Sequence, residues 1–167
     1  MFRILFASVL IFPAICCHAE SITGRVVGVS DGDTITMLVS ANTQHKIRLS
    51  GIDAPEKKQS FGQRSKESLS DLVFAKTVTV ETDKRDKYQR EVGKVLVEGM
   101  DANLEQIKRG MAWHYKTYQR EQSADERKVY ADERKVYADA ENEAREAGLG
   151  LWSDSELVPP WDFRHNK

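Results

Sequence analysis

The sequence predicts an α+β protein built on a small, partly open, five-stranded barrel of the OB type with three helices. Three observations predict it: five short runs of alternating β-branched residues, a helical pattern inserted after the third run, and two more helical patterns behind the fifth, each stopped by a glycine.

Residues 1–19 come first and stand outside that domain. Arg3 provides a short positive start, residues 4–15 are apolar apart from Ser8, and Cys17-His18-Ala19 ends in the small residue that a signal-peptide cleavage site needs. The apolar run is short for a bilayer span, so cleavage after Ala19 is expected, with no stable membrane association afterwards and residence in the periplasm or outside the cell. Neither Cys16 nor Cys17 follows the small residue that a lipoprotein signal wants. Both cysteines leave with the leader, which excludes disulfides, thiolate metal sites and cysteine nucleophiles from the remaining 148 residues. Those residues suffice for one compact domain, residues 20–153, and carry 24 basic against 26 acidic groups, a net charge of −2.

Residues 22–29, 34–39 and 45–49 alternate as strands, with Asp31-Gly32 and Ala41-Asn42 as turns between them. Residues 61–76 place Leu69, Leu72 and Val73 on one helical face behind Ser60 as the cap candidate. Strand alternation returns over 77–82 and 92–98; then Asp101 caps a short helix that Gly110 ends.

A long charged helix is expected over 122–147, stopped by Gly148. Within it Ala-Asp-Glu-Arg-Lys-Val-Tyr occurs twice in immediate tandem, at 124–130 and 131–137. Seven residues make two turns less about 20°, so the duplication lengthens the helix by roughly 10 Å while keeping the face of Val129, Val136, Ala140, Ala144 and Ala147. It reads as an insertion; two heptads are too few for a coiled coil, and the expected state is a monomer. The segment 154–167, with Pro159-Pro160, is expected to be a flexible tail.

Charge is uneven. Residues 108–120 hold Lys108, Arg109, Lys116 and Arg120 with no acid, whereas 121–147 hold nine acids against five bases. A local basic face beside a solvated acidic helix suits a protein that grips phosphate without binding nucleic acid in bulk.

The chemistry concentrates in 31–56. Asp31-Gly32-Asp33-Thr34, Ile47-Arg48-Leu49 and Asp53-Ala54-Pro55-Glu56 put four carboxylates and an arginine into one short stretch of strands and turns. Carboxylates from two turns suit a hard divalent cation, and an arginine on a neighbouring strand suits a phosphodiester. Arg48, lying between Ile47 and Leu49, should point away from their core face. Together with Asp86-Lys87-Tyr88-Gln89-Arg90 and Gly148-Leu149-Gly150-Leu151-Trp152, in this order, these motifs resemble the staphylococcal nuclease (thermonuclease) family over residues 22–153.

The resemblance implies a calcium-dependent, sugar-non-specific endonuclease that uses water to cut DNA and RNA at the bond to the 5′ oxygen, leaving 3′-phosphate ends. It implies Asp33, Asp53 and the Ala54 backbone carbonyl as calcium ligands, with Asp31 acting through water or as nearby charge. It implies Glu56 as general base or water-orienter, and Arg48 and Arg90 as the pair that grips the scissile phosphate. Lys87, Tyr88, Tyr115 and Tyr118 are the substrate-binding candidates, whereas Trp113 and Trp152 read at least as well as core, and His114, the one rival base, reads as packing or substrate contact. The chain departs from the family pattern at Ala54, where a threonine is usual, at Gln89, where a glycine is usual, and in a shorter loop after Glu56. The alternative is a non-catalytic OB module that binds single strands or a protein; retention of all three acids and both arginines speaks against it.

Overall fold

The computed structural model of the chain describes residues 20–116, 128 and 130–165. The leader and Tyr118 lie outside the described residues, as does most of the first heptad copy. Five long strands form the barrel: β1 (Glu20–Asp31), β2 (Thr34–Ser40), β3 (Thr43–Leu49), β5 (Thr77–Arg85) and β6 (Glu91–Val97). Their order is β3-β2-β1-β5-β6, antiparallel throughout, and a parallel pairing of β3 with β6 closes the ring. This is the expected α+β barrel. Period-2 alternation builds it: Val26, Ile35, Met37, Ile47, Leu49, Val78, Val80, Val95 and Val97 all turn inward and are buried.

The parallel closure spans only three residue pairs, Ile47–Leu49 against Glu91–Gly93, and is reinforced from outside the sheet. Helix α2 (Ala102–Lys108) sends in the buried Asn103, whose Oδ1 accepts from the Val95 N–H at 3.1 Å. Its Nδ2 donates to the carbonyls of Ser50 (2.9 Å) and Gly93 (3.2 Å). One amide thereby ties β6 to the end of β3, adding to the Ser50 N–H that already donates to the Gly93 carbonyl at 2.8 Å. A Cβ on Gly93 would stand 2.4 Å from the Glu81 carbonyl oxygen, which is why β6 carries no side chain there.

Asp101 caps α2 as expected, its side chain accepting from the backbone N–H groups of Asn103 and Leu104. Helix α1 (Gly62–Val73) starts differently from expectation. Phe61, with φ 64°, occupies the cap position with no side-chain hydrogen bond, and Ser60 does not serve as the cap. The helix is held by its buried Leu69, Leu72 and Val73 face.

Two short pairings went unread in the sequence because two residues carry no periodicity. β4 (Ile52–Asp53) pairs antiparallel with β8 (Trp113–His114), and β7 (Met100–Asp101) extends β6. Helix α3 (Ala131–Glu146) follows, and its buried residues are Tyr137, Ala140, Glu141 and Ala144. Val136 and Ala147, expected on the buried stripe, are exposed. The stripe is rotated toward Tyr137, whose hydroxyl donates to Asp101 Oδ2 at 2.8 Å, while Glu133 pairs with Lys94 on β6 at 2.6 Å. In the second heptad copy Tyr137 is buried, whereas Ala131, Asp132, Lys135 and Val136 are exposed. After a 3₁₀ turn over Gly150–Ser153, the segment expected to be a flexible tail includes a short helix, α4 (Pro160–His165), with Pro160 buried. No helix among the described residues is long and apolar enough to cross a membrane.

Candidate active site

The turn between β1 and β2 carries Asp31 and Asp33, and it is clamped from behind. The carbonyl of Gly32 accepts from Gln106 Nε2 of α2 at 2.8 Å; the same nitrogen reaches the Ser65 carbonyl at 3.1 Å, and Ser68 Oγ donates to Gln106 Oε1 at 2.6 Å. A Cβ on Gly32 would fall 1.7 Å from Ser65 Oγ, so only glycine lets the turn lie this close to α1. Gln106 is fully buried and sequence reasoning missed it, since a lone glutamine on a short helix carries no pattern.

Asp33 leans toward β4. Its Oδ2 accepts from the Ala54 N–H at 3.1 Å and its Oδ1 from Thr34 Oγ1 at 2.8 Å. Asp53 is fully buried on β4, opposite Trp113. Arg48 points away from Ile47 and Leu49, as the strand alternation requires, and joins the two acids: Nη2 lies 3.1 Å from Asp53 Oδ1 and 3.6 Å from Asp33 Oδ2. Its Nη1 donates to the Ile52 carbonyl at 3.3 Å, which fixes the plane of the guanidinium.

Arg90 enters at the start of β6 from a turn organised by Asp86. One Asp86 oxygen accepts from the N–H groups of Tyr88 (2.9 Å) and Arg90 (3.0 Å), and the other pairs with the Arg90 guanidinium at 2.7 Å. Burial pushes the Asp86 carboxyl up, but these hydrogen bonds outweigh it and hold the group below its usual range. Arg90 Nη1 lies 3.5 Å from Thr34 Oγ1, so the guanidinium reaches the β1–β2 turn. Tyr88 is largely exposed beside it, with Arg90 5.5 Å and Lys87 5.1 Å from its ring centroid.

These groups line one cavity of about 900 Å³: Asp31, Asp33, Asp53, Ala54 and Glu56 on one wall, Arg48 and Arg90 behind them, Lys87, Tyr88 and Tyr115 at the rim. Every described residue that the sequence singled out for the site is therefore brought together. Trp113 is core, as read, packing edge-on against Trp152 at 5.5 Å, and His114 is buried beside Tyr137.

Five acidic and seven basic residues line the cavity, and Asp31 and Asp53 each lie close enough to Asp33 to feel its charge. Burial and the neighbouring Asp33 carboxylate push Asp31 up to about 6. Burial raises Asp53 as well, and Asp33 adds to the rise against the opposing pull of Arg164 and Arg48. The donors are all hard oxygens, with no thiolate or imidazole among the cavity residues, which fits calcium. No group of three or more acidic, histidine or cysteine side chains is gathered into a ready-made metal cage among the described residues.

One further group sits in this cavity that the sequence did not announce. Arg164 of α4 reaches Asp53 Oδ2 at 2.7 Å and Glu56 Oε1 at 2.9 Å.

Residues 46–154 match the family model described as staphylococcal nuclease homologue. The chain belongs to the staphylococcal nuclease family. It is similar to an uncharacterized endonuclease of Haemophilus influenzae, with 40% identity across 99% of this chain and 86% of that protein. An uncharacterized endonuclease of Escherichia coli O157:H7 is 41% identical across 93% of this chain and 92% of its own length. A micrococcal nuclease of Shigella flexneri is 34% identical across 97% and 91%. Family membership makes the protein an endonuclease and places its substrate among the nucleic acids. The family's barrel is also the barrel found here, with the cavity at the mouth formed by the β1–β2 turn, β4 and the turn before β6.

Proposed function

We propose that the protein is an exported, calcium-dependent endonuclease that cleaves DNA and RNA without sugar preference and leaves 3′-phosphate ends. The observation that carries this reading is the convergence of Asp33, Asp53, Glu56, Arg48 and Arg90 on one cavity. Export rests on the leader pattern of residues 1–19.

Asp33, Asp53 and the Ala54 carbonyl would hold the calcium ion, with Asp31 adding negative charge beside them. When bound, calcium supplies charge neutralisation at the phosphate and lowers the pKa of nearby water. Arg48 and Arg90 donate to the non-bridging phosphate oxygens, where charge grows as the water oxygen bonds to phosphorus. Both guanidiniums are pre-aimed, Arg48 by backbone carbonyls and Arg90 by Asp86, so little reorganisation is needed. Glu56 orients the attacking water and takes its proton. The phosphorus–5′ oxygen bond breaks and the leaving 5′ oxygen takes a proton from solvent water, giving a 5′-hydroxyl on one fragment and a 3′-phosphate on the other. Tyr88 and Tyr115 at the rim offer ring faces to unstacked bases and Lys87 a charge to a flanking phosphate. Tyr118 retains its proposed place in substrate binding from the sequence alone.

Cleavage of denatured DNA and of RNA, with calcium, with magnesium and with chelator, tests the proposal. Calcium-dependent cutting to 3′-phosphate ends is expected, reduced about 100-fold or more in Glu56→Gln and in Arg48→Ala. Strand binding without metal-dependent cutting would leave the non-catalytic OB module as the correct reading.

A further inference from the structure

We propose that Arg164 is a built-in cation of this active site, held on Asp53 and Glu56 by the C-terminal helix, which a divalent ion must displace to load. Metal binding and release of α4 are then one equilibrium. The inference rests on the proposed metal site.

The contacts are specific. Arg164 Nη2 lies 2.7 Å from Asp53 Oδ2, Nη1 3.2 Å from Asp53 Oδ1, and Nη1 2.9 Å from Glu56 Oε1. Both oxygens of Asp53 are thus engaged by one planar guanidinium, and Oδ1 is shared with Arg48 at 3.1 Å. An ion that takes an oxygen of Asp53 meets the Arg164 guanidinium there, and the repulsion between two cations on one carboxylate favours displacement of the arginine. Glu56, which the proposed mechanism needs facing a water, faces the same guanidinium.

The helix that delivers Arg164 is seated by a small set of contacts. Trp161 packs edge-on against Trp113 at 6.4 Å and tilted on Tyr115 at 6.0 Å. Gln59 Nε2 donates to the Val158 carbonyl just before the helix. Six residues cannot hold a helix by themselves, so α4 depends on tertiary contacts, these and the Arg164 ion pairs among them, with Pro160 buried at its start. The Arg164 side chain is 41% exposed, so solvent screens the pair and a doubly charged ion can compete for the carboxylates. Trp161 touches Tyr115, the aromatic that also lies 6.0 Å from Arg48, so departure of α4 alters the rim of the cavity as well as its floor.

The test is calcium binding measured by calorimetry, without substrate, beside tryptophan fluorescence over the same titration. Wild type is expected to show an emission change with the calorimetric midpoint, and Trp161→Phe to lose most of it. Arg164→Gln should bind calcium about tenfold more tightly, with a smaller emission change, and Arg164→Lys should restore weaker binding. Unchanged or weaker calcium affinity in Arg164→Gln overturns the displacement proposal while leaving the metal site intact. No calcium binding in either wild type or Arg164→Gln overturns the metal-site reading and the displacement with it. Thermal melting of each variant separates these effects from loss of fold.

Discussion

At Gln89 the backbone takes φ 61°, a left-handed conformation in which a side chain costs roughly 1 kcal/mol. The strain buys the tight Asp86–Gln89 turn, closed by the Gln89 N–H to the Asp86 carbonyl at 3.0 Å, which aims Arg90 into the cavity. The sequence flagged the position as one where a glycine is usual; the positive φ is the physical reason. Gln89→Gly is expected to stabilise the fold by up to about 0.5 kcal/mol after its cost in unfolded-state entropy, read as a higher urea midpoint. An unchanged or lower midpoint would show that Gln89 makes compensating contacts. Ala54 behaves differently: its methyl replaces the usual threonine side chain, while its N–H still supports Asp33. Arg48, Glu56, Arg90 and the two ligand candidates were legible because their spacing is local and each pairs a charge with a turn or a strand. Gln106 was not legible, because its partners, the Gly32 and Ser65 carbonyls, lie 74 and 41 residues away.

The strands followed their alternation closely, whereas α3 did not follow its apolar residues. A charged helix with few large apolar groups has several nearly equivalent faces, and tertiary partners choose among them. Here the Tyr137 hydroxyl on Asp101 and Glu133 on Lys94 set the rotation, and Val136 is left outside. Glu141 is carried inward, accepting from the His114 N–H at 3.2 Å and pairing with Arg145 at the same distance. This binds β8, and through it Asp53, to α3. His114 is buried with its Nδ1 unpartnered, and burial lowers its pKa; Glu141 opposes the shift, while Lys116 and Arg134 add to it. The folded state therefore keeps His114 neutral at pH values where the unfolded chain protonates it. Stability from this site is complete above about pH 6.5 and is lost as pH falls through and below that value, by up to about 1.4 kcal/mol per pH unit. Melting temperatures between pH 7.5 and 5.5 should fall less in His114→Gln than in wild type; equal pH dependence would place the titration elsewhere.

For the whole molecule, charge is arranged rather than accumulated: a net charge of −1 for the full chain coexists with a cavity rimmed by Lys46, Lys84 and Lys87. Grip on a strand should therefore be electrostatic and local. If three phosphates are held, affinity for single-stranded DNA should drop roughly twentyfold between 50 and 200 mM salt, mostly in KM. A salt-independent KM would put the binding energy in aromatic stacking alone. The sequence by itself determined the α+β barrel, the Asp101 cap and the set of charged residues that meet in the cavity, because alternation, turns and charged motifs are written within a few positions of one another. Only the tertiary structure decided which face α3 buries, how Gln106 and Asn103 brace the barrel, and that the chain after residue 153 returns to the cavity. Arg164 meets Asp53 across 111 residues, a contact no local pattern encodes, because it depends on where the barrel places Trp113 and Tyr115 for Trp161 to settle against.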